Sequence, residues 1–172
     1  MKTLDILIKA RALLASPERW CKGITFKFRI DSSNGKQEIA ARCLIGAVMA
    51  AVLGKDLLCP RIMPEKEHRL VTAALEALLD LKKEAVLPGA SSAHAVACWN
   101  DQPTTRHADV LAWLDNAIAA VRAREQAERA QERMQALMTQ ACTGVNSDPF
   151  TPVFTPQSQE LVTLPAKELE DA

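Results

Sequence analysis

The sequence predicts an all-α protein: a bundle of four to five helices, with a short extended arm at about residues 24–30 and a long C-terminal helix. Three observations predict it. Across 172 residues there are only 6 glycines and 4% aromatics against abundant Ala, Leu and Glu, which favours helix over a sandwich or barrel. Apolar residues recur at helical spacing in several windows, and one run alone alternates with period two. With 48% apolar and 24% charged residues, the chain can bury a core without disulfide or metal staples.

The first helix is predicted by Leu4, Leu7, Ile8, Leu13 and Leu14, with Thr3 as its cap and Ser16-Pro17 as its stop. Ile24-Thr-Phe-Lys-Phe-Arg-Ile30 alternates apolar and polar, which reads as one extended strand. Asp31-Ser-Ser-Asn-Gly35 has the composition of a hairpin turn. No second alternating run follows it, so an arm is expected rather than a sheet. From Gln37 to about Leu53 the chain is apolar on nearly every side, the signature of a helix central to a bundle, with Gly54 as the stop. A third helix begins near Pro64 or Glu65 and carries His68, Val71, Ala74, Leu75, Leu78, Leu79 and Leu81. After Pro88-Gly89, Ser91 or Ser92 caps a short helix through Trp99, and Asn100 to Thr105 reads as a turn. Val110, Leu114, Ala117, Ile118 and Val121 then form a core stripe, and no Pro or Gly interrupts this helix until Gly144. Three parts are expected: a bundle at 1–121, an extended helix at 122–142 and a disordered acidic tail at 143–172.

Charge and cysteine usage exclude several classes. Lys+Arg and Asp+Glu both total 21, so nucleic acid is not indicated as a partner. The tail holds five acids against one lysine, which leaves residues 1–142 at a modest +4. Cys21, Cys43, Cys59, Cys98 and Cys142 form no C-x-x-C pair, and Cys43, Cys59 and Cys98 have apolar neighbours; reduced, core-packed thiols are expected. The longest apolar stretch, Cys43 to Leu53, is too short to span a bilayer, and the basic and acidic start does not read as a signal peptide. A cytoplasmic chain with no membrane partner and no cofactor is expected.

One ordered set of motifs is distinctive. Trp20 precedes Cys43-Leu44-Ile45-Gly46-Ala47, followed by Cys98-Trp99-Asn100-Asp101, Thr105, Asp109-Val110 and Ala117-Ile118. From Leu7 to Val121 the chain thereby resembles an uncharacterised family of short proteins from actinobacteria, other bacteria and phages. That family is marked by a Gly-Ala-hydrophobic segment and a Trp-Asn-Asp motif. The resemblance implies a small helical fold and no established activity.

Four constellations carry candidate chemistry. Trp99, Asn100, Asp101, Arg106 and His107 would line a polar pocket at a helix N-terminus, suited to phosphate or carboxylate. The structural reading is favoured, because Asn and Asp commonly fix turns and caps while Trp fills core. His94 and Cys98 are four apart, a spacing for two metal ligands, but a closed zinc site needs four, so no metal is expected. Cys43, His94 and Asn100 stand in the order of a thiol hydrolase, yet a cysteine inside an apolar helix lacks thiolate stabilisation. Walker, G-x-G-x-x-G, H-E-x-x-H and G-x-S-x-G motifs are absent, so an enzyme is disfavoured. Lastly, Trp113, Asn116, Ala120, Ala123, Ala127, Ala130, Met134, Leu137 and Ala141 alternate steps of three and four, a heptad seam.

The function expected is therefore that of a non-enzymatic binding protein of bacterial or phage origin. It would act on a partner protein, such as a host defence complex that it inhibits, or as a homodimer. A nucleotide sponge using the Trp99 pocket is the alternative, and a thiol hydrolase the third.

Overall fold

A computed structural model describes residues 1–33, 35–54, 63–82 and 89–144. The tail beyond Gly144 and Cys59 lie outside the described residues. Among the described residues there are five α-helices, one 3-10 turn and a two-stranded antiparallel sheet. The sheet corrects the all-α expectation: the protein is a helical bundle with a β-hairpin.

Helix α1 spans Thr3–Leu13, and Lys2 rather than Thr3 is its N-cap, its backbone N–H donating to Asp5. Ile6, Leu7, Ala10 and Leu14 form the stripe it buries. The Ser16-Pro17 stop leads into a 3-10 turn over Pro17–Arg19. Strand β1 (Phe26–Ile30) then pairs with β2 (Gln37–Arg42), Phe26 opposite Arg42 and Ile30 opposite Gln37, with a bulge between Lys27 and Phe28. Asp31 Oδ1 closes the turn by accepting from the Ser33 amide at 2.9 Å and its hydroxyl at 2.7 Å.

The expected helix over Gln37–Leu53 is thus two elements. Gln-Glu-Ile-Ala-Ala-Arg has no period-two pattern, but cross-strand bonds to β1 hold it extended, so tertiary pairing overrides local propensity. Helix α2 is Leu44–Leu53, capped by Cys43 at one end and by left-handed Gly54 at the other. Leu44 and every residue from Gly46 to Ala51 are buried, which makes α2 the central helix. Helix α3 (Glu65–Leu79) buries Val71, Ala74, Leu75, Leu78 and Leu79, and leaves His68 exposed. Helix α4 covers Ser92–Asp101, with the Ser91 hydroxyl accepting from the His94 amide. Asn100 and Asp101 are therefore its last turn, not the start of a loop. Helix α5 runs His107–Gly144.

The chain forms two units, Met1–Glu132 and Arg133–Ala172. In the first, α1 to α4 pack around one core that also takes Val110, Trp113, Leu114, Ala117 and Ile118 of α5. In the second, the described side chains of α5 are exposed. Among the described residues, no helix is long and apolar enough to cross a membrane.

Gly46 shows how tightly the hairpin sits on α2. A Cβ there would lie 2.5 Å from the Thr25 carbonyl oxygen and 3.1 Å from the Phe26 ring. That carbonyl also accepts from the Cys43 amide at 3.0 Å, so it cannot retreat without losing a bond. Gly46→Ala is expected to destabilise by about 2 kcal/mol, the cost of overpacking a rigid contact. A urea melt unchanged within error would mean the hairpin can slide away.

Candidate functional site

The candidate site centres on the Trp-Asn-Asp segment, and its geometry starts from where α4 ends. The Asn100 side chain is 1% exposed, and an amide so buried must find partners for both its oxygen and its nitrogen. Its Oδ1 accepts from Trp20 Nε1 at 2.8 Å and from the Leu44 backbone amide at 3.3 Å. Its Nδ2 donates to the Cys21 carbonyl at 3.2 Å and to Asp101 Oδ1 at 2.7 Å. That Asp101 oxygen also accepts from the Gly23 amide at 2.8 Å. One side chain thereby joins α4, the first turn of α2 and the loop that leads into β1.

The surroundings brace the same loop. Lys22 Nζ donates to the Gln102 carbonyl at 2.6 Å and stands 5.3 Å above the Trp20 ring. The His107 ring lies 6.1 Å from that of Trp20, and its Nε2 bonds the Leu14 carbonyl at 2.7 Å. Buried Thr105 donates its hydroxyl to the Trp99 carbonyl at 2.7 Å, turning the chain from α4 into α5. Among the described residues, every buried side-chain nitrogen or oxygen has a partner.

The five residues expected around an anion pocket divide. Asn100, Asp101 and His107 join the Trp20 loop. Trp99 packs edge-on against Trp113, ring centroids 4.3 Å apart, with Lys82 Nζ 4.0 Å from its own centroid. Burial lowers the Lys82 pKa, and the charge of Asp109 opposes that. The Arg106 side chain is exposed, and its backbone amide donates to Asp109 Oδ2 at 2.8 Å. The helix end that would attract an anion thus faces the protein's own carboxylate.

The thiols also depart from expectation. Cys43 stands at the N-terminus of α2, where its Sγ accepts from the Gly46 amide at 3.4 Å, rather than inside the helix. Burial nonetheless raises its pKa, with amide hydrogen bonds only partly offsetting it. Burial likewise pushes the Cys21 thiol up to about 11, and the charges of Cys43 and Asp101 add to that. Neither is a ready nucleophile at neutral pH. Cys98 is exposed, not core-packed, and His94 Nε2 lies 3.4 Å from its sulfur. His94 is thus paired with Cys98 rather than with Cys43. No group of three or more potential metal ligands converges among the described residues.

Sequence reasoning missed the reach of Trp20, Lys22 and Gly23 into this site. The signal available was Trp20 followed by Gly23, whose φ of 74° marks a turn.

Fold and site together define a helical bundle that carries a β-hairpin, fastened by a buried asparagine. The chain belongs to a family of unknown function, DUF6197, whose model matches residues 1–120. Neither the curated proteins nor the solved structures contain a match to the chain.

Proposed function

We propose that the protein is a non-enzymatic interaction module of bacterial or phage origin, working by protein–protein contact and by self-association through α5. One observation carries this reading. Beyond Val121, every described side chain of α5 is exposed except half-buried Glu125, and Met134, Leu137 and Met138 are 63–65% exposed. An isolated helix of this polarity gains little beyond propensity, and such apolar exposure favours a partner. The seam available to a second copy is Ala123, Ala127, Ala130, Met134 and Leu137, because Trp113 is buried in the bundle and Ala120 half-buried. In a phage, the same contact would serve to inhibit a host complex, a role taken by analogy rather than from these residues. A small-anion sponge at Trp99-Asn100-Asp101 has less support, since those polar atoms are engaged within the chain.

Light scattering tests the reading. The wild type should weigh as a dimer, and the Ala127→Glu, Ala130→Glu pair should return it to monomer with unchanged helicity. A monomeric wild type overturns self-association. A dimer untouched by the pair removes α5 as the interface.

A further inference from the structure

We propose that the outer edge of β1 docks an extended segment of another protein, one that alternates acidic and apolar residues and adds as a third strand. The sheet has two strands, so each has one side of its backbone without a sheet neighbour. On the β2 side that place is partly filled. Trp20 bridges to Arg42 there, and the Cys21 amide donates to the Arg42 carbonyl at 3.1 Å. On the other side, Phe26–Ile30 makes no backbone–backbone bond except to β2 among the described residues. Alternate residues of an antiparallel strand turn their N–H and C=O groups away from the partner, so this edge presents unpaired donors and acceptors. Phe26 is buried, while the four residues after it are exposed, Phe28 by 40% and Ile30 by 74%.

Charge selects the partner. The strand reads Phe-Lys-Phe-Arg-Ile, which puts apolar residues on one face and two bases on the other. Arg29 is compensated by Glu38, Nη2 to Oε2 being 3.3 Å, whereas Lys27 has no carboxylate partner among the described residues. A second copy is a poor occupant. Antiparallel pairing about Phe28 would set Lys27 beside Arg29 of the other copy at two places, and like charges directly opposite destabilise a sheet. A strand with Asp or Glu opposite Lys27, and with Val or Ile opposite Phe28 and Ile30, gains a charge pair, apolar cross-strand contacts and a backbone ladder together. This inference rests on the protein-contact part of the reading above and is independent of self-association through α5.

Short peptides of alternating Val and Glu, or Val and Lys, are the probes, titrated by NMR against the full chain. The Val–Glu peptide should bind with a Kd of about 1 mM or tighter, and more weakly as salt rises. It should shift the amides of Phe26–Ile30 and slow their exchange with solvent. The same peptide N-methylated at every residue lacks backbone donors and should not bind, nor should Val–Lys. Lys27→Glu, at an exposed position, should weaken Val–Glu about tenfold and admit Val–Lys while the melting temperature holds. Binding should persist in the Ala127→Glu, Ala130→Glu pair, so that failure of α5 pairing and failure of the β1 edge are separate results. Absence of saturation by about 10 mM overturns the proposal, as does unaltered binding in Lys27→Glu or in the N-methylated peptide. Amide shifts confined to α5 overturn it by moving the contact to the long helix. Protection of Phe26–Ile30 that grows with the concentration of the free protein overturns it as well, by making a second copy the occupant.

Discussion

Asn100→Ala is expected to cost about 3–5 kcal/mol, a large share of the stability of a single domain. The loss exceeds that of an average hydrogen bond because the partners remain when the amide goes. The Leu44 amide, the Cys21 carbonyl and the Trp20 indole N–H would all lose their acceptor or donor. Each stranded buried group costs about 1–3 kcal/mol, and half-buried Trp20 recovers part of its share from water. Asn100→Asp sharpens the test. It keeps the accepting oxygen but turns an N–H donor into an acceptor facing the Cys21 carbonyl and Asp101. The substituted carboxyl therefore titrates upward, and the variant should regain stability as pH falls and the acid protonates. Urea unfolding followed by circular dichroism, near neutrality and near pH 4, reads both effects. A loss under about 1 kcal/mol in Asn100→Ala would mean the hub is held by other contacts.

What was legible in the sequence follows from how local each signal is. The stripe of α5 from Val110 to Val121, the isolation of α2 at the centre and the left-handed stop at Gly54 are all written within one helix turn of the residues concerned. Strand β2 is not. Its residues are kept extended by pairing with β1, partners lying seven to sixteen positions away, and their own composition favours helix. Missing β2 displaced Cys43 from a helix cap to a helix interior, so a single non-local error propagated into the site. The Trp-Asn-Asp segment was legible as a structural device but not in its reach. Asn100 bonds Trp20 across 80 positions and Leu44 across 56, and no spacing rule predicts such pairs.

Trp99→Ala is expected to destabilise by about 3–5 kcal/mol, the range for deleting a large buried aromatic. The ring is 9% exposed and its edge contact with Trp113 joins α4 to α5. Trp113 is fixed in turn by an Nε1 bond to the Leu78 carbonyl at 2.9 Å, so it cannot swing to fill the cavity. Lys82 covers the pair from outside, its ammonium 4.0 Å and 4.9 Å from the two ring centroids. A double-mutant cycle between Trp99→Ala and Lys82→Met separates packing from charge. The coupling should be about 1 kcal/mol, as for a partly exposed ammonium over an indole, with the remainder of the loss independent of Lys82. Circular dichroism is the proper readout, because removing an indole alters the fluorescence itself. If Trp99→Ala cost less than about 1 kcal/mol, the Trp99–Trp113 contact would not be what joins the two helices. If the coupling equalled the whole loss, Lys82 rather than the edge-on ring pair would be holding α4 against α5.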